Sequence, residues 1–158
     1  MMRLSCLLAV TSVLLSGPAL AAETASSSVV VTAAFSSRTS LTISSDVLRF
    51  DVAAVGSPAV ASVDFSAKAR TVAGAQVVLS VEPLGDVEGG QGPAASGCEL
   101  TFAGEGDGTL AGPIAPVGPT VAGRWTGSGL RNGRLVFSLR ADASGDYTVP
   151  VRFVLTAP

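Results

Sequence analysis

Few residues in this 158-residue chain could carry out chemistry. It contains no histidine, which removes the commonest general base and the commonest metal ligand. Cys98 therefore has no histidine to activate it as a nucleophile. Ser128 lies between two glycines, but the segment lacks the spacing of a nucleophile elbow and is typical of a turn. We expect no catalytic residue and no enzyme activity.

Two acidic residues, Glu105 and Asp107, alternate with glycine in the segment 104–108. A calcium loop needs several oxygen ligands at alternate positions and a distal bidentate acid, which is missing here. The segment is interpreted as a solvated loop tip, with a calcium loop as the alternative. No carboxylate has an evident apolar pocket, so a glycosidase pair is not predicted either. We expect no metal site and no cofactor.

Residues 1–21 have the features of a signal peptide. Arg3 gives a positive start, and the apolar run Leu4–Leu15 is shorter than the ~20 residues that span a bilayer. Ala19-Leu20-Ala21 is a cleavage site of the small-x-small type. We therefore expect export to the periplasm, the cell surface or the exterior. Residues 22–158 are expected to form a single domain with no transmembrane segment after cleavage.

Signal cleavage would also change the charge and the cysteine count. The chain has ten basic and twelve acidic residues, so loss of Arg3 leaves a net charge near −3. Binding of nucleic acid requires a basic surface, and we expect none. Loss of Cys6 leaves Cys98 alone, which excludes an internal disulfide. Cys98 is interpreted as a buried or partly buried small apolar residue, with an intermolecular bond as the alternative.

The clearest strand is the C-terminal stretch Gly145–Thr156. Its odd-numbered residues from Tyr147 to Leu155 are apolar, and its even-numbered residues are mostly polar. Successive strand side chains point to opposite faces, so one face must be buried by a second layer of strands. We expect Phe153 to be an anchor of that core. The segment 59–70 alternates in the same way.

Further segments with strand character are separated by turns rich in Gly, Pro and Ser. They are 26–35, 41–43, 48–52, 77–81, 98–102, 121–126 and 134–140. No segment shows a sustained helical period. The sequence predicts an all-β protein, an antiparallel immunoglobulin-like β-sandwich of about eight to nine strands, with a closed barrel as the alternative. Two long loops, Leu84–Gly97 and Gly104–Pro119, favour the sandwich.

The last two predicted strands, joined through Ala141–Asp146, are expected to form a hairpin. On its outward face the pattern places Arg134, Arg140 and Arg152. This face is interpreted as a solvated, charged surface, with a site for an acidic glycan or a partner as the alternative. Trp125 is expected in the core, with a sugar-stacking platform as the alternative.

Both ends of the chain after the signal resemble one family. The stretch Val29–Phe35, followed by Leu41, is similar to the N-terminal strand of alpha-class chaperone–usher fimbrial subunits of the colonisation-factor type. The start Gly145-Asp146-Tyr147 and the apolar alternation after it resemble their closing strand. The resemblance implies an incomplete sandwich that receives its missing strand from the next subunit of a pilus. It implies these donor residues: Val29, Val31, Ala33 and Phe35.

Two functional hypotheses follow from the strand pattern and the resemblance. The first is a non-enzymatic exported domain of structural or adhesive role, whose first strand pairs within its own domain. The alternative is a fimbrial subunit that polymerises by donor-strand exchange through residues 29–35. Its partners would be other copies of itself or a periplasmic chaperone. The sequence does not indicate a ligand.

Overall fold

A computed structural model describes residues 37–90 and 97–158, and all the elements in these two ranges are β-strands. The predicted strand 26–35 and the predicted signal peptide lie outside the described residues. The strands are β1 (Arg38–Ile43), β2 (Val47–Val52), β3 (Ala59–Arg70), β4 (Gln76–Pro83), β5 (Glu88–Gly89), β6 (Glu99–Gly106), β7 (Thr120–Thr126), β8 (Gly129–Arg140) and β9 (Gly145–Thr156). None of the described residues forms a helix that could span a membrane.

The strands form two antiparallel sheets, which confirms the predicted all-β sandwich. One sheet has the order β1-β3-β8-β6, and the other has the order β2-β9-β4-β7, with the short β5 also paired to β9. We call them sheet I and sheet II. The order of sheet I is that of the A-B-E-D sheet of immunoglobulin domains, and β4 and β9 of sheet II take the positions of strands C and F.

Tyr147 supports this assignment of β9. Its hydroxyl donates a hydrogen bond to the Ala143 carbonyl, four residues upstream, at 2.8 Å. A tyrosine near the start of strand F that bonds the backbone just before it is the tyrosine corner of immunoglobulin-like sandwiches. The bond fixes the path by which the chain enters β9.

The core lies between the sheets and follows the predicted alternation. On β3, for example, Val63, Phe65 and Ala67 are buried while the residues between them are not. The rings of Phe102 and Phe137, which are fully enclosed, pack with their centroids 5.7 Å apart. Trp125 is 7% exposed and belongs to this core, as the sequence predicted.

Phe153 is less buried than the sequence predicted. It points inward and packs against the core, as its parity requires, but it is only half-buried. Tyr147, Val149 and Val151, on the first half of the same strand, are almost completely buried. The difference arises because the second half of β9 lies at a margin of the sandwich.

The predicted hairpin between the last two strands is wrong. β8 belongs to sheet I and β9 to sheet II, so the connection from Ala141 to Ser144 crosses between the sheets. Ala141 is buried in this crossing, and its carbonyl accepts a hydrogen bond from the Gly56 amide at 3.0 Å. Alternation shows which side chains face the core but not which strand lies alongside, so it could not separate a hairpin from a crossing.

Candidate functional site

The second half of β9 has a paired edge and an edge along which no described strand lies. On one side, residues 151–156 pair with β4, and Phe153 is opposite Val81. On the other side, β2 pairs only with residues 145–150, and the last bond runs from the Val151 amide to the Asp46 carbonyl at 2.8 Å. We call the side of β9 beyond Val151 that faces away from β4 the β9 edge.

The β9 edge exists because the chain changes sheets just before β2. β1 pairs with β3 of sheet I, whereas β2 pairs with β9 of sheet II. Between them the Ser44 amide donates to the Asp64 carbonyl of β3 at 2.9 Å, which holds this segment on sheet I. β2 therefore cannot continue along the second half of β9.

The hydrogen bonds that β9 makes to β4 show which of its backbone amides and carbonyls face the β9 edge. The Leu84 amide donates to the Pro150 carbonyl, so even-numbered residues of β9 direct their backbone groups toward β4. The amides and carbonyls of Phe153 and Leu155 therefore face the β9 edge. No described residue outside β9 bonds to them, and paired backbone groups are the rule in proteins. The edge can accept a further strand.

Apolar side chains line the interior beside this edge. They come from both sheets, are half-buried and pack against the core: Leu41, Ile43, Phe153 and Leu155. An incoming strand with apolar residues on one face would bury them further, and each Å² of apolar surface buried contributes ~25 cal/mol. The site therefore fits an extended apolar segment.

The opposite side of the sandwich is sealed by the loop after β6. Leu110 joins the two sheets, because its carbonyl accepts from the Gly104 amide of β6 and its amide donates to the Ala122 carbonyl of β7, both at 2.9 Å. Ile114 and Phe102 exchange two further backbone bonds of 2.8 Å. The sequence predicted only a loop at 104–119, and it missed this role and the extension of β6 to Gly106.

Ser37 places the start of β1 next to the end of the chain. Its hydroxyl donates to the main-chain oxygen of Pro158 at 2.5 Å, so the start of β1 lies beside the end of β9. The predicted donor strand 29–35 immediately precedes this point, although it lies outside the described residues. Ser37, the first residue of the described range, thus lies near the β9 edge.

The candidate chemical groups do not come together. Cys98 is half-buried, and burial, with a smaller contribution from the Asp142 carboxylate, raises the pKa of its thiol. A raised pKa disfavours the reactive thiolate. Glu105 lies opposite Arg134 on paired strands, and Asp107 is exposed. Within residues 37–90 and 97–158, no three acidic, cysteine or histidine side chains are grouped as metal ligands.

The three arginines predicted on one face lie on two opposite faces. Arg134 and Arg140 belong to β8 of sheet I, and Arg152 belongs to β9 of sheet II. Arg134 is bound to Asp64 with a nitrogen–oxygen distance of 2.7 Å, and Arg152 is bound to Glu82. The shared basic face is therefore wrong, and two of its members are neutralised by carboxylates.

One depression of about 280 Å³ lies on the outer face of sheet I. It is lined by Glu99, Thr101, Pro113, Ser138 and Arg140. Glu99 and Arg140 are opposite each other on paired strands, so their negative and positive charges offset each other within the depression. It does not adjoin the β9 edge.

Three comparisons with known proteins were negative. No protein-family model, no curated protein and no solved structure matches the chain.

Proposed function

We propose that this chain is an exported, non-catalytic immunoglobulin-like module of structural or adhesive role, completed by a strand that adds to the β9 edge. The observation that carries the proposal is the pair of backbone groups at Phe153 and Leu155, which face an edge lined by half-buried apolar side chains. Strand addition at such an edge is an established mode of protein association.

The segment 29–35 of the same chain is the proposed strand. Its residues Val29, Val31, Ala33 and Phe35 form an apolar face that matches the apolar lining of the site. Only Ser36 and Ser37 separate it from β1, which starts beside the end of β9. A strand supplied by the chain itself would therefore run parallel to β9.

A fimbrial subunit is the second candidate, favoured by the layout of sheet II. The β9 edge lies beside the F-position strand, where strand G of an immunoglobulin domain would pair. A strand from a neighbouring copy would fit the same place. Its direction would not be restricted by the two-residue connection to β1. It could then run antiparallel to β9. In this case the partners are other copies of the chain, or a chaperone that protects the edge.

Light scattering on the chain from Ala22 onward, over a range of concentrations, separates the candidates. A strand from the same chain gives no oligomers that resist heat and high salt at any concentration, whereas a neighbour's strand gives linear oligomers that do. Val31→Asp, which places a charge on the apolar face of the strand, should destabilise the monomer in the first case and abolish the oligomers in the second.

Val30→Asp is the matched control, because alternation would place Val30 on the opposite face of the proposed strand. It should have a much smaller effect on melting temperature and on assembly. Equal effects of the two substitutions, or no effect of either, would refute strand addition by residues 29–35.

A further inference from the structure

Among the charges of the described residues, one sign predominates at each end of the sandwich. At the end where β3 stops and β8 begins lies a set that we call the basic pole, whose members are exposed except for the half-buried Arg131: Arg38, Lys68, Arg70, Arg124 and Arg131. At the end where β9 begins lies a set that we call the acidic pole: Asp51, Asp86, Asp142 and Asp146. The chain has nearly equal numbers of basic and acidic residues, ten and twelve, so its composition does not reveal this separation.

Opposite charges at each end do little to neutralise the poles. At the basic pole, the exposed Asp107 precedes Gly108, whose carbonyl accepts a hydrogen bond from the Arg124 amide at 2.7 Å, so this carboxylate offsets one of the five basic charges. At the acidic pole, Arg140 is opposite Glu99 on paired strands. Arg49 and Glu88 flank Thr148 from the two sides of β9, so these charges offset each other locally. Each pole therefore keeps an excess of one sign.

Each pole contains two like charges placed directly opposite on paired strands. Asp51 is opposite Asp146 in sheet II, and Arg38 is opposite Arg70 in sheet I. Such pairs are destabilising in a sheet. The ion pairs among the described residues, Arg134–Asp64 and Arg152–Glu82, lie in neither pole. A partner that brings the opposite charge to each pole would relieve the repulsion.

We infer that the acidic pole of one copy binds the basic pole of another, so that copies associate end to end. The two surfaces are complementary in sign, and they lie at opposite ends of one molecule, so the contact repeats as a heterologous chain. This goes beyond the proposed function, because it does not use the β9 edge. Exposed charges contribute weakly and are screened beyond about 8–10 Å at physiological salt. The contact therefore sets orientation and encounter rate more than affinity.

Sedimentation velocity on the chain from Ala22 onward tests this inference at about 0.02 M and about 0.5 M salt. Self-association at low salt should weaken at least roughly tenfold at high salt. The double substitution Arg38→Glu with Arg70→Glu should abolish it, as should Asp51→Lys with Asp146→Lys. Each double substitution keeps a like-charge pair, so the internal repulsion is unchanged.

Charge restoration makes the test specific. A chain carrying all four substitutions should associate again, and a mixture of the two double variants should form mixed complexes. Arg152→Glu, which alters a charge in neither pole, is the control and should leave association intact. Thermal melting checks that each variant is folded.

Three results would overturn the inference: no association of the unsubstituted chain at low salt, association insensitive to salt, or a folded four-substitution chain that stays monomeric. Binding of a sulfated polysaccharide by the basic pole, without self-association, would assign that pole to a polyanion instead. Failure here is distinguishable from failure of strand addition. Strand-linked oligomers would resist both heat and high salt, whereas pole-linked ones dissociate in salt.

Discussion

Phe153 of β9 is opposite Val81 of β4, but on its other side no described residue pairs with it. Both residues point into the core, yet Val81 is fully buried and Phe153 is half-buried. The difference reflects position, because β4 has neighbours on both sides and the second half of β9 has a described neighbour on one. This asymmetry is the basis of the proposed strand addition.

The centre of the core should be much more sensitive to truncation than the sheet surface. Phe137 is fully buried against Phe102, so Phe137→Ala should cost about 3–5 kcal/mol of the free energy of unfolding. That is a large part of a total of about 5–15 kcal/mol. Val60 is 63% exposed on the neighbouring β3, and Val60→Ala should cost under about 0.5 kcal/mol. Urea unfolding measures both, and equal losses would contradict the assigned faces.

Tyr147 should titrate at an unusually high pH. Burial, followed by the charges of Cys98 and Asp142, raises the pKa of its phenol above the ordinary value of about 10. The fold therefore favours the neutral phenol. This contribution to stability is fully present below the unfolded pKa and is lost as pH rises through the folded pKa.

Absorbance at alkaline pH reports this titration directly, because Tyr147 is the only tyrosine in the chain. The native protein should titrate above the midpoint of the urea-unfolded protein. Asp142→Asn should lower the native midpoint slightly, because it removes one of the three causes. Coincident native and unfolded curves would contradict the buried tyrosine corner.

The loop that seals the side opposite the β9 edge should depend on Gly104. A Cβ there would lie 2.6 Å from Thr109 Cβ and 2.8 Å from the Leu110 carbonyl, so Gly104→Val should push the loop away from β6. We expect a loss of about 1–3 kcal/mol, typical of overpacking. Gly74→Val has free space around it, although its positive φ adds strain, so it controls for steric contact. Amide exchange at Leu110 and Ile114, whose amides bond to Ala122 and Phe102, should rise in the first variant and not in the second.

The sequence predicted the faces of the strands better than their partners. Tyr147, Val149 and Val151 could be assigned to the core because alternation depends on each strand alone. The crossing from β8 to β9 could not be predicted, because a hairpin and a crossing place the same side chains inward. For the same reason Arg152 was grouped with Arg134, although they lie on opposite sheets.

The candidate site was predicted even less completely. The apolar faces of 29–35 and β9 were visible in the sequence, but the edge at Phe153 and Leu155 depends on the point where β2 leaves β9. That point is set by the bond from Ser44 to Asp64, twenty residues away in the chain, which no local pattern indicates.

Amide hydrogen exchange at Phe153 and Leu155, resolved by residue, shows whether a strand covers the β9 edge. It should be compared in the chain from Ala22 onward, in Val31→Asp and in a deletion of residues 22–36. The Val154 amide faces β4 and serves as an internal control of folding. Strand addition at the β9 edge predicts slow exchange at Phe153 and Leu155 in the unsubstituted chain and fast exchange in both variants, with Val154 protected throughout. Fast exchange at Phe153 and Leu155 in the unsubstituted chain, unchanged by either variant, would contradict strand addition at the β9 edge.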